Sequence, residues 1–123
     1  MEYKESILKR VDGKLEVVKA PPLLERGELA DVVAIRGDVD NTKCTNIRWV
    51  LGHWHDCAGF EWGYAGQGPT DFARNILMHF TEDREFSKKH QVEFCVEFIA
   101  DMPRDQGYIK KEDILAFISL KSA

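Results

Sequence analysis

The chain predicts an α+β domain: an antiparallel β-sheet, made from an N-terminal hairpin plus further strands, with two to three helices packed on one face. Three observations carry this. Asp12-Gly13 sits between two strand-like runs, Val32-Val33-Ala34-Ile35 forms a short apolar block, and helical stripes occupy the later half of the chain.

Taken in order, Tyr3 to Val11 and Leu15 to Lys19 flank Asp12-Gly13, a pair suited to the positive backbone angles of a type I′ hairpin turn. Pro21-Pro22 then stops regular pairing, because proline has no N–H for a ladder. Leu23 to Asp31 fits either a loop or a short helical turn. Asp31 to Gly37 reads as a buried strand, and Gly37 to Asn41 as a turn or loop. Thr45 to Leu51 reads as a further strand, with Ile47, Trp49 and Leu51 alternating against Asn46, Arg48 and Val50. Phe60 to Tyr64 alternates in the same way, placing Phe60, Trp62 and Tyr64 on one face and Glu61 on the other.

Pro69 to Phe80 predicts a helix whose Phe72, Ile76, Leu77 and Phe80 make one apolar stripe. Pro69 suits the first helical position, and Asp71 the first turn, where the dipole favours negative charge. Thr81-Glu82-Asp83 ends or bends it. Arg84 to Met102 carries two patterns: Val92, Phe94, Val96 and Phe98 alternate, whereas Phe86, His90, Phe94 and Phe98 recur every four residues. Its length and Pro103 favour helix. Asp105-Gln106-Gly107 reads as a turn, and Ile114 to Leu120 as a last helix with Ile114, Phe117 and Ile118 inward.

The 123 residues suit one domain, 1–123, with no repeat or composition break. A net charge of -4 gives no general electrostatic reason to bind nucleic acid or an anionic membrane. Cys44, Cys57 and Cys95 lack the even count and spacing of a disulfide scaffold, which fits a reducing compartment. No apolar run approaches the length of a membrane span or secretory leader, so a cytoplasmic protein is expected.

The densest motif is Gly59-Phe60-x-Trp62-Gly63-Tyr64-x-Gly66-x-Gly68-Pro69, followed by Ala73 and Ile76-Leu77. It resembles the signature of a small uncharacterised domain family of bacteria, prophages and phages. The N-terminal hairpin and the Met102-Pro103…Tyr108 stretch also look like that family's layout, whereas Val32 to Val50 looks like added material. The resemblance implies a fold and a phage association but no established activity.

The same motif is the first candidate site. A base would stack on Trp62 or Tyr64, beside Phe60, while a phosphate meets main-chain amides around Gly66, Gly68 and Thr70 at the helix start. Arg74 and Arg48 would supply the cations. The competing expectation is that the aromatics are core and the glycines serve a turn. His53, His55 and Cys57 would share one face of an extended strand and suit zinc, but no fourth ligand stands at a diagnostic spacing, so no metal or other cofactor is expected. No catalytic constellation accompanies the motif. Glu61, Asp56 and Asp71 fit polar-face or capping roles, and Cys95 fits a small buried hydrophobe. The sequence therefore favours a non-enzymatic, homo-oligomeric binding protein for a nucleotide-like small molecule, in the phage setting a sponge for a host-defence signal. The alternative is an inhibitor that blocks a host protein through exposed aromatics such as Trp49 and Trp54.

Overall fold

In the computed structural model, which describes residues 6–39, 42–50 and 60–123, the chain opens on the expected hairpin. Strand β1 (Ser6–Val11) pairs antiparallel with β2 (Lys14–Lys19), and Val11 lies opposite Lys14. Asp12 and Gly13 take φ of 50° and 80°, the two positive angles a type I′ turn requires.

A second sheet has the order β4-β3-β5, both pairs antiparallel, from β3 (Val32–Arg36), β4 (Lys43–Thr45) and β5 (Gln106–Ile109). The unbroken apolar run of β3 reflects burial on both faces. Val32 and Ala34 join the core beneath the helices, while Val33 and Ile35 pack with Ile7, Val18 and Cys44 on the hairpin side. The helices thus pack on one face of this sheet.

Two strand expectations are corrected. The segment expected to pair over Thr45 to Leu51 pairs only at Lys43–Thr45, because the next residue ends the ladder. Asn46 accepts from the Val33 amide at 3.1 Å and donates to the Asp31 carbonyl at 2.8 Å, so its side chain takes over what a continuing backbone would do. Conversely β5 lies where a turn was expected. Long-range pairing with β3 (Val32 with Ile109, Ala34 with Gly107) overrides the turn-like composition.

The helix α1 (Gln67–Thr81) begins two residues before Pro69, with Gly66 as its N-cap. Pro69 is therefore its third residue rather than its first, and Asp71 falls beyond the first turn. The expected stripe holds, with Phe72, Ala73, Ile76 and Leu77 fully buried and Phe80 packed at the margin. Glu82 closes the helix in the left-handed region, its amide donating to the Met78 carbonyl at 2.8 Å. Asp83 then caps α2 (Arg84–Phe94), accepting from the Phe86 amide at 3.0 Å.

In the contested segment the four-residue pattern wins. His90 and Phe94 are buried while Val92 and Val96 are exposed. A four-residue repeat drifts about 40° per step on an α-helix. The π-helical turn Cys95–Ile99, with the Ala100 amide bonded to the Cys95 carbonyl at 2.8 Å, absorbs an extra residue. Phe98 then reaches Phe94 and Phe117, at ring separations of 4.8 and 5.9 Å. The last helix, α3 (Lys111–Ser122), buries Ile114 and Phe117 as expected, with Ile118 at the core margin. Its N-terminus is capped from a distance: the Asp31 carboxylate accepts from the Lys111 amide and the Tyr108 hydroxyl, both at 2.7 Å. Among the described residues no helix is long and apolar enough to cross a membrane.

Candidate functional site

The aromatic motif is not a strand, and its platform is closed. Residues 60–66 run without regular structure into α1. Phe60 and Trp62 are 0% exposed. Phe60 stacks between Trp49 and Phe72 at centroid separations of 4.4 and 5.0 Å. The Trp62 indole N–H donates to the Arg104 carbonyl at 2.9 Å, and the Arg36 guanidinium lies 4.6 Å from the indole ring centre. Tyr64 alone keeps a large exposed surface, 43%, with Arg104 5.9 Å from its ring centre.

The glycine turn does not present an open row of amides either. Gly68 is buried. The Thr70 amide and hydroxyl both donate to the Gly66 carbonyl, at 3.0 and 2.7 Å. Burial raises the Cys95 thiol above its ordinary pKa, offset in part by hydrogen bonds with the Thr70 hydroxyl and the Gly66 main chain. The main chain of Gly66 and Thr70 at the start of α1 is thus engaged from within the chain. Gly63 is needed for its own reason. It has φ of 90°, its amide donates to the Ile99 carbonyl at 3.0 Å, and an added Cβ would lie 2.6 Å from Arg104 Cγ.

Glu61, on the opposite side of the motif, is the centre of a buried charge cluster. Its carboxylate meets Arg36 at 2.6 Å and Lys43 at 2.5 Å, and the Lys43 side chain is 1% exposed. Burial by itself would raise the Glu61 carboxyl. The hydrogen bonds from Arg36 and Lys43 outweigh it and hold the group below its usual value. The cluster is internally satisfied, which marks it as structural. Glu61 was expected in a polar-face or capping role; it is instead largely buried between two cations.

Open concave surface lies instead beside Arg48. A groove of about 710 Å³ runs between the Ala20–Leu23 segment and the chain after β4, with Cys44, Ile47, Arg48, Trp49 and Val50 on that side. A second, of about 300 Å³, is lined by Arg26, Arg48, Val50, Met78, His79 and Glu82. Arg48 and Val50 belong to both. Two buried asparagines hold this wall. The Asn46 carbonyl accepts from the Leu24 amide at 2.8 Å, and Asn75 on α1 accepts from the Val50 amide at 2.7 Å. Arg48 donates through Nε to the Leu24 carbonyl at 3.0 Å. Among the described residues, no acceptor meets its terminal nitrogens.

These positions sort the expected site residues. Arg48 stands at an open surface; Arg74 is half-buried on α1 and lines neither groove. Trp49, expected as an exposed aromatic, is half-buried and stacked on Phe60. His53, His55 and Cys57, with Trp54, lie outside the described residues. Among the described residues no group of three or more His, Cys, Asp or Glu could hold a metal ion. Leu24, Asn46 and Asn75 were missed as wall-holding residues. Their only signal in the sequence is two asparagines among apolar neighbours.

Comparison with known families decides the relationship: a model of a family of unknown function, DUF6166, matches residues 31–120. The chain belongs to DUF6166. The match corrects two expectations. Val32 to Val50 lies inside the family span rather than being added to it, and the β1–β2 hairpin lies ahead of the matched residues. No curated protein and no solved structure matches this DUF6166 chain.

Proposed function

We propose that this DUF6166 chain is a non-enzymatic binding protein that holds a small, flat, anionic ligand of nucleotide type in the groove beside Arg48. The observation that supports it is the adjacency of Arg48 and Trp49 on one wall of a groove of about 710 Å³. That volume suits a ligand of nucleotide size, and pockets of this kind pair an apolar lining with a few fixed polar groups. Arg48 is held at Nε by the Leu24 carbonyl, leaving its terminal nitrogens for a phosphate. Trp49 lines the groove and is steadied by Phe60, so it would give a base a fixed apolar contact at little ordering cost. The stacking role expected of Trp62 moves to Trp49, and the anion role moves from the α1 amides to Arg48. A protein that holds its ligand without turning it over acts by lowering the free concentration, which is the sponge role in a phage setting.

Calorimetry with mononucleotides, cyclic nucleotides and ADP-ribose-type ligands tests this. At least one is expected to bind, with Arg48→Ala weakening it tenfold or more. Trp49→Leu should cost about 1–3 kcal/mol, the usual worth of one stacked base. Absence of binding across the panel, or binding indifferent to both changes, would discard the reading.

A further inference from the structure

The two edges of the β1–β2 hairpin are treated differently. Its turn makes Val11 and Lys14 a hydrogen-bonded pair, so Lys9 with Glu16 and Ile7 with Val18 are the other such pairs. The residues between them turn their main-chain groups outward: Leu8 and Arg10 on β1, Leu15 and Val17 on β2. On β1 those groups are used. The Asp38 amide donates to the Leu8 carbonyl at 2.7 Å, and the Arg10 amide donates to the Asp38 carboxylate. On β2, no described residue meets the main-chain groups of Leu15 or Val17.

Two devices that blunt a natural edge strand, a proline and a bulge, are missing along Lys14–Lys19; a third, charge, is present as Lys14, Glu16 and Lys19, and opposite charges on a facing strand would neutralise it. Leu15 and Val17 are 48% and 68% exposed. Such an edge is a template for another strand.

We propose that the outer edge of β2 joins two copies of this chain, strand against strand, into one continuous four-stranded sheet. The charge pattern selects a second copy. Outward-facing residues must pair with outward-facing residues, so an antiparallel, two-fold arrangement centres on Leu15, on Glu16 or on Val17. Centring on Glu16 sets that carboxylate against itself. Centring on Val17 sets Glu16 against Val18. Centring on Leu15 places Lys14 opposite Glu16 of the partner subunit twice, with the two Leu15 side chains meeting between them. Opposite charges directly across a ladder favour pairing and like charges oppose it, so the charges favour the Leu15-centred register, in which Lys14 and Glu16 of the two strands pair and each Leu15 bonds the other.

The test is sedimentation equilibrium of the full chain over a concentration series. The mass should rise from 14.1 kDa towards twice that value. Hydrogen exchange at the Leu15 amide should slow at least tenfold over the same series. Leu15→Pro removes the central outward donor without breaking a β1–β2 hydrogen bond, and should weaken association at least tenfold. Glu16→Lys, which sets lysine against Lys14, should do the same. The double change Lys14→Glu with Glu16→Lys should restore association to within threefold. Circular dichroism reports whether each variant folds, and if Leu15→Pro does not, the charge-swap pair decides. A single-chain mass at every concentration overturns the proposal, as does association indifferent to these changes or not restored by the swap.

Discussion

A lysine sealed in the interior sets the first energetic condition on this molecule. Lys43 is tolerable there because Glu61 meets it, and Glu61 in turn is shared with Arg36, whose guanidinium lies over Trp62. Removing one member of such a group leaves another charge buried without compensation, which costs more than the pair contributes when intact. Glu61→Gln is therefore expected to destabilise the fold by about 3 kcal/mol, read from the shift in denaturation midpoint. A cost below ~1 kcal/mol would mean that water reaches Lys43. Alternation set Glu61 apart from the aromatics but gave no sign of a buried ion cluster. The partners of Glu61 were not legible, because Arg36 and Lys43 reach it only through the pairing of β3 with β4.

At the scale of elements, the joint between the aromatic motif and α1 depends on one glycine. Gly63 combines a positive φ with close approach to Arg104, and its amide ties the motif to the π-turn through Ile99. Gly63→Ala is expected to cost about 2 kcal/mol, from the angle and the displaced neighbour together. Thermal melting would show it, and an unchanged midpoint would refute the account. The helical elements were read well because their stripes are long: Phe72, Ile76 and Leu77 on α1, and Ile114 and Phe117 on α3. The strands were read less well. β4 and β5 are three and four residues long, and their extent follows from which neighbour supplies hydrogen bonds.

Over the whole molecule, three carboxylates tie separate parts together and share one pH response. Asp31 joins the sheet to α3 through the Lys111 amide and the Tyr108 hydroxyl, and these bonds hold it below the usual carboxylate range. Hydrogen bonds from Lys121 and His90 do the same for Glu93, and Glu61 is lowered likewise. A depressed folded-state pKa means that the unfolded chain takes up the proton first as pH falls. The stability from these groups is complete above the ordinary carboxylate range and is lost progressively below about pH 4. Acid titration followed by circular dichroism should show that loss, and Asp31→Asn should make the profile shallower. An unaltered profile would show that Asp31 does not carry the link.

The α+β class, the hairpin turn and the apolar stripes were decided by sequence alone, because each depends on residues a few positions apart. Which aromatics face solvent was decided by tertiary structure. Phe60 and Trp62 alternate like an open strand face, yet Phe72 of α1, Trp49 and Arg36 close over them. Arg48, on a segment that reads as an ordinary strand, is left at an open groove because Asn46 ends the ladder and Asn75 holds Val50. Local spacing determines what a segment can form, but exposure depends on what packs against it from elsewhere in the chain.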